Sequence, residues 1–199
     1  TRTEYTIVRL KDDEFYLVSA GGWTDYDADF LRKAVQDKER EFGRIEVQNV
    51  DMAAIPAPAR PWDVIWSEGS AYILGVEKAL ADWRALLRPG GVLVFSDMVW
   101  RTGKPDDEVR AFWAAEYPAM ATPATRVAQA KRAGYRVLGH FDMGREAMDT
   151  YYRPLAARLD ALEPRLEGAR VLEDLRREIA VLEAGRGQFG YEMFVLERV

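Results

Sequence analysis

Residues 62–97 read WDVIWSEGSAYILGVEKALADWRALLRPGGVLVFSD, and the spacing of their apolar side chains decides the fold. Asp63 to Trp66 is a short apolar strand, and Ser67 to Ala71 is a polar, glycine-containing exit from it. Val76, Ala79, Leu80, Trp83, Leu86 and Leu87 then recur at helical spacing until Pro89-Gly90-Gly91 stops the helix. Val92 to Phe95 follows as a second buried strand, so the stretch predicts one parallel βαβ unit. In open parallel sheets ligands gather beyond the carboxyl ends of the strands. Glu68, Gly69, Ser70 and Tyr72 after the first strand, and Ser96, Asp97 and Trp100 after the second, are therefore expected to line one crevice.

Upstream, Tyr5 to Leu10 and Phe15 to Val18 are β-rich runs separated by Lys11-Asp12-Asp13-Glu14, which predicts a hairpin or two short strands. Asp27 to Phe42 has the pattern of an amphipathic helix stopped by Gly43, and Arg44 to Val50 that of a strand. Ala53 to Pro61 is an irregular crossing. Downstream, Asp106 and Asp107 are placed to cap a helix carrying Val109, Phe112, Trp113 and Tyr117. Thr122-Pro123 starts another helix, which ends at Gly134. Tyr135 to Phe141 and Tyr191 to Leu196 read as two last strands separated by residues 146–184. That segment carries leucine stripes on either side of Gly168, the pattern of a helical hairpin inserted to cover a pocket or pair with another subunit.

Composition narrows the function classes. A chain of 199 residues with 48% hydrophobic content suits one domain, residues 1–199, with a sizeable core and the segments 1–22 and 146–184 as additions to it. A net charge of -5, with acidic and basic residues interspersed along the helices, argues against binding nucleic acid by phosphate neutralisation. No apolar run reaches the ~20 residues of a membrane span, and residues 1–20 lack a secretory pattern, so a cytoplasmic protein with no membrane partner is expected. Without cysteine there is no disulfide, thiolate zinc site or cysteine nucleophile, and His140 alone makes no histidine-rich metal centre.

The ordered motifs resemble the class I S-adenosylmethionine-dependent methyltransferases of the small-molecule type. The resemblance spans about residues 24–198 and rests on Asp25 followed by Phe30-Leu31, Asp51-Met52, Trp62-Asp63-Val64-Ile65-Trp66-Ser67-Glu68-Gly69, Leu87-Arg88-Pro89-Gly90-Gly91 and the terminal strand pair. It implies an α/β fold: a Rossmann-like, mostly parallel sheet of seven strands with an antiparallel C-terminal strand. It also implies S-adenosylmethionine as cofactor, S-adenosylhomocysteine as product and a small-molecule acceptor. On the family pattern Asp25 holds the ribose hydroxyls, while Asp51 and the backbone at Met52 lie beside the adenine, with Ser67 also on the cofactor side. A carboxylate suits both tasks because it accepts hydrogen bonds that an apolar residue would leave unmade.

One departure stands out. No G-x-G-x-G precedes Asp25, and the only candidate for a glycine-rich turn is Ser19-Ala20-Gly21-Gly22, too close to Asp25 for the usual helix and strand between them. Either that segment is shortened, residues are missing from the sequence near Gly22, or cofactor binding has been lost. A second register makes Ser19 to Gly22 the turn, Asp27 to Phe42 the first helix and Asp51 the ribose acid.

Methyl transfer is an in-line displacement, so the protein has mainly to align two reactants and exclude water, and no catalytic triad is needed. Glu68, Asp97 and His140 are the candidate bases, Glu68 first because it follows the strand that the resemblance places at the transferred methyl, with His140 beside it as catalytic candidate. Tyr72, Asp97, Trp100 and Tyr152 are candidates for substrate contact. The competing readings are a methyltransferase-like protein that binds a ligand without catalysis, and an assembly role for the 146–184 helices.

Overall fold

The computed structural model describes residues 50–165 and 169–199, together with the backbone of residues 5–11, 14–19 and 45–47. Seven strands form one sheet: β1 (Tyr5–Lys11), β2 (Glu14–Ser19), β3 (Ile45–Val47), β4 (Trp62–Ser67), β5 (Leu87–Trp100), β6 (Tyr135–Asp142) and β7 (Phe189–Arg198). Their order across the sheet is β3-β2-β1-β4-β5-β7-β6. The helices are α1 (Ala71–Leu74), α2 (Val76–Leu86), α3 (Asp107–Glu116), α4 (Pro123–Arg132), α5 (Gly144–Leu162) and α6 (Arg170–Ala184). The helix expected over residues 27–42 lies outside the described residues, as does Asp25.

The β4/β5 pair is parallel, as residues 62–97 predict. The helix α2 between them turns Val76, Ala79, Leu80 and Trp83 inward, a four-residue stripe at i, i+3, i+4 and i+7, with Glu77 in its first turn and Arg84 in its last to suit the helix dipole. Leu86 ends α2, and the strand starts at once at Leu87 rather than after the glycines. Trp62 pairs with Leu87 and Val64 with Val92, so β5 loops out at Arg88 to Gly91 before regular pairing resumes. A Cβ at Gly91 would sit 2.9 Å from the carbonyl oxygen of Arg88 and 3.0 Å from that of Trp62, which is why this position takes glycine. At its far end β5 continues to Trp100, because Met98 and Val99 extend the apolar run. Ser96 and Asp97 are therefore inside the strand, a correction to their expected place in a loop after it.

The hairpin expected at the N-terminus is present as antiparallel β1 and β2, and it is built into the sheet. β1 runs antiparallel to β4, and β2 runs parallel to β3. At the edge where β4 ends at Ser67, β1 begins, with Thr6 opposite Ser67; β2 ends there too, with Ser19 opposite Tyr5. At the other side of the sheet, Arg101 N bonds Gln188 O while the Arg198 guanidinium reaches Leu87 O, so β7 runs antiparallel to β5. Val199 N to Gly134 O and Met143 N to Tyr191 O make it antiparallel to β6 as well. The antiparallel last strand that the resemblance implies is thus matched by a second reversed strand, β1.

The chain divides into two compact units: residues 1–97, 125–141 and 193–199, and residues 98–124 and 142–192. In the first, Ile65, Leu80, Trp83, Leu87, Leu93, Phe95, Phe194 and Leu196 are sealed from solvent. The Tyr135 hydroxyl donates to Leu80 O at 3.0 Å, and burial pushes that phenol well above its ordinary range. In the second, Met98, Val109, Phe112, Trp113, Met148, Val181, Leu182 and Phe189 form one cluster. The inserted segment is the expected pair of helices, α5 and α6, on either side of residues 166–168. Asp106 stands at the N-cap of α3 but does not cap it; its carboxylate accepts from Gln188 Nε2 at 2.6 Å instead. No described helix is long and apolar enough to cross a membrane.

Candidate functional site

The exit from β4 is held by its own serines. Ser67 and Ser70, both buried, share a hydrogen bond between their hydroxyls at 2.7 Å, and Gly69 N donates to Ser96 Oγ at 2.9 Å, tying the end of β4 to β5. Gly69 has φ 56°, a left-handed conformation that a side chain would oppose. Four of residues 67–71 are buried, and the exception is Glu68. Alternation along β4 sends Ile65 and Ser67 inward and leaves the Trp66 ring on the opposite face, 38% exposed. The Trp66 indole N–H then donates to Glu68 Oε1 at 2.5 Å, holding the carboxylate against the turn. Among the described residues no guanidinium or ammonium group meets Glu68. Tyr72 and Ile73, on the short α1 that follows, are also exposed, at 44% and 52%.

One strand over, the same edge is built differently. Asp97 is 1% exposed, and its Oδ2 accepts from Arg126 Nε at 2.7 Å; Arg126, on α4, is 2% exposed and also donates from Nη1 to Gln129 Oε1 at 2.9 Å. Arg126 and Ala130 are the two inward residues of α4, one turn apart. Sequence reading missed Arg126, although its i, i+4 relation to Ala130 was the available signal. Asp97 is thereby turned inward into an ion pair, away from the open position expected of a substrate contact.

Residues 22–95 match the family model described as a methyltransferase domain. Among solved structures, the chain is similar to a putative sarcosine dimethylglycine methyltransferase from Galdieria sulphuraria, with a TM-score of 0.70 at 17% identity over 90% of this chain and 67% of that one. It is similar also to an S-adenosylmethionine-dependent methyltransferase from Thiobacillus denitrificans crystallised with S-adenosylhomocysteine, at 0.63 and 21% identity over 85% and 72%. The match to the methyltransferase-domain model covers residues 22–95 only, and the solved structures share the fold of this chain. The fold also serves other chemistry: the [4+2]-cyclase SpnF matches at a TM-score of 0.66 and 16% identity, over 86% of this chain, which spans 62% of the cyclase. No curated protein matches the sequence.

The family match begins at residue 22, so Ser19 to Gly21 stand before it. Within the matched residues Asp51 is exposed and caps a 3-10 turn, Met52–Ala54, its Oδ1 accepting from Ala53 N at 2.8 Å. A carboxylate has acceptor capacity beyond one such bond, so capping leaves room for a ligand amino or hydroxyl group. Met52 is half-buried beside it. His140 lies on β6, the edge strand, and is exposed; its ring stacks on Phe194 at 5.7 Å, and Phe194 stacks on Phe95 at 5.0 Å. It joins an aromatic row across β6, β7 and β5, and its own strand lies three strands from β4. Trp100 and Tyr152 belong to the second unit and pack on its hydrophobic cluster. Trp100 meets Phe189 edge-on at 6.4 Å, and the Tyr152 hydroxyl donates to Glu178 Oε1 at 2.5 Å. Burial first, and then the Glu178 carboxylate, push that phenol far above its ordinary range, so it stays protonated. The residues brought together at one edge are thus Ser67, Glu68, Ser70 and Ser96, with Trp66 as the neighbour sequence reading had assigned only to a strand. Among the described residues no group of acidic or histidine side chains is placed to hold a metal ion.

Proposed function

We propose that the chain binds S-adenosylmethionine and transfers its methyl group to a small-molecule acceptor at the carboxyl edge of β4. The observation that carries this reading is the laced turn, which fixes the backbone of residues 67–70 and holds out a single carboxylate, Glu68, at the edge where open parallel sheets take ligands. The donor set suits the cofactor. Asp51 offers an exposed carboxylate for an exocyclic amino or ribose hydroxyl group, with Met52 beside it for the adenine face, and Asp25 fills the ribose role on the family pattern.

When bound, S-adenosylmethionine supplies a methyl on a sulfonium, which departs as the neutral thioether of S-adenosylhomocysteine. The chain's part is alignment and proton handling. The Trp66 indole N–H occupies Glu68 Oε1, which leaves Oε2 to accept the proton of the acceptor nucleophile as its bond to the methyl forms. The Ser67-Ser70 and Gly69-Ser96 bonds keep that carboxylate from swinging away. His140, on the far edge strand, is the more distant candidate base, and the exposed Tyr72 on α1 is a candidate for acceptor contact. Replacing Glu68 by Gln is expected to lower turnover by about 10²–10⁴ while binding of the cofactor persists.

Calorimetry with S-adenosylmethionine and S-adenosylhomocysteine tests the reading directly. Saturable binding, weakened by Asp51→Ala, is the expected result, and a folded sample that takes up neither ligand overturns it. The second reading is ligand binding without methyl transfer. It is favoured by the sequence before Asp25, which carries no G-x-G-x-G. The parallel β2/β3 pair, with Ser19 at the end of β2, fits the register in which Ser19 to Gly22 is the glycine-rich turn and Asp51 the ribose acid.

A further inference from the structure

The surroundings of Glu68 have the chemistry of a site for a cation. The carboxylate is exposed, held by one hydrogen bond from Trp66, and opposed by no basic group among the described residues. Residues 62–75 and 92–100, which supply both strand ends, contain no Lys or Arg at all. Among the described residues the guanidinium bonded to this edge is that of Arg126, which is paired with Asp97 and buried. Among the described residues, an anionic group brought to this corner would meet the Glu68 carboxylate with no basic side chain bonded to it. Two aromatic rings, Trp66 and Tyr72, remain partly open to solvent on either side of Glu68 in the chain, and the faces of such rings attract alkylammonium ions.

We propose that this corner takes an alkylammonium group, Glu68 supplying the charge and Trp66 with Tyr72 the ring faces, so that the acceptor class in the methyl transfer proposed above is an amine. The amine arrives protonated. Glu68 Oε2 takes an N–H proton, the freed nitrogen lone pair forms the bond to the methyl carbon, and the carbon–sulfur bond breaks to leave the thioether. The proton remains on Glu68 until it is released to solvent. One carboxylate thereby serves first in recognition and then as the base, with no second titrating group.

Choline and its uncharged isostere 3,3-dimethyl-1-butanol separate charge from shape. Each is titrated into the intact chain and followed by broadening of its own methyl resonance. Choline is expected to bind about tenfold more tightly than the isostere. Glu68→Gln should remove that preference, and Trp66→Leu should reduce it. Both side chains are exposed at least in part, and a thermal melt of each variant verifies that it folds. Equal affinities for the two probes, or a preference that survives Glu68→Gln, overturn the proposal. A third arm repeats the choline titration with S-adenosylhomocysteine present: undiminished binding supports an acceptor site, whereas displacement puts the cation in the cofactor's own place and overturns it. Calorimetric uptake of S-adenosylhomocysteine by the same sample is read independently. A chain that takes up the nucleotide without preferring choline loses only the amine assignment, and one that prefers choline without taking up the nucleotide loses only the transfer reaction.

Discussion

Asp97 and Glu68 stand near the carboxyl ends of adjacent parallel strands, and they have opposite fates. Asp97 is sealed against Arg126, with 1% and 2% of their surfaces exposed, while Glu68 is exposed and, among the described residues, meets an indole N–H. A buried carboxylate needs a hydrogen-bonded counter-ion to exist as an anion at all, and once it has one it is committed to holding structure. An exposed carboxylate without a counter-ion is stable in water and remains available to a ligand. The difference is one of burial: Asp97 is paired inside the fold and Glu68 faces solvent. Glu183 on α6 is a third case, exposed but paired with Arg186 and Arg145.

The largest expected effect is on the sealed pair. Asp97→Asn leaves the Arg126 guanidinium buried without its partner and should cost about 3–5 kcal/mol in denaturant unfolding. Asp97→Leu combined with Arg126→Met should recover most of that loss, because two apolar groups of similar size need no hydration. A double variant as unstable as the single one would break the comparison. Next comes the frame that holds both carboxylates. Gly91→Ala drives a methyl toward the carbonyl oxygens of Arg88 and Trp62 and should cost on the order of 1–3 kcal/mol, measured by the shift of the same unfolding midpoint.

Glu68→Gln should change stability by no more than about 0.5 kcal/mol, since the side chain is on the surface and Gln can still accept from Trp66. A larger drop would mean that Glu68 is structural after all. The smallest effect belongs to Glu183, whose carboxyl is held below its ordinary range, chiefly by the hydrogen bond from Arg186. A lowered folded-state value means the stabilisation is present above the unfolded value of about 4.3 and fades as pH falls through the folded one. Solvent screening limits it to a few tenths of a kcal/mol. Melting curves of Glu183→Gln and the parent should therefore differ slightly at neutral pH and converge in acid.

Much of the fold was legible because its signals are local. The stripe of Val76, Ala79, Leu80 and Trp83, the Pro123 start of α4 and the leucine runs on α5 and α6 each depend only on residues within a turn or two. The extent of β5 was less so. Pro89-Gly90-Gly91 reads as a break, yet it is a bulge inside the sheet, because the pairing partner Trp62 is 25 residues away and leaves no mark nearby. Strand direction was likewise hidden: the hairpin Tyr5–Ser19 is plain in sequence, but its insertion between β4 and β3 is set by long-range pairing.

For the candidate site the division is sharper. Sequence by itself determined that polar residues cluster after the β4 and β5 cores, that Glu68 and Asp97 are the acids there, and that residues 62–75 contain no Lys or Arg. Only tertiary structure decided that the two acids differ. Arg126 reaches Asp97 from a helix 29 residues on, and Ser96 reaches Gly69 from the neighbouring strand 27 residues away. Charge and residue type are properties of a position in the chain. Exposure is a property of what the rest of the chain packs against it, and exposure leaves Glu68 open to a ligand while Asp97 is closed.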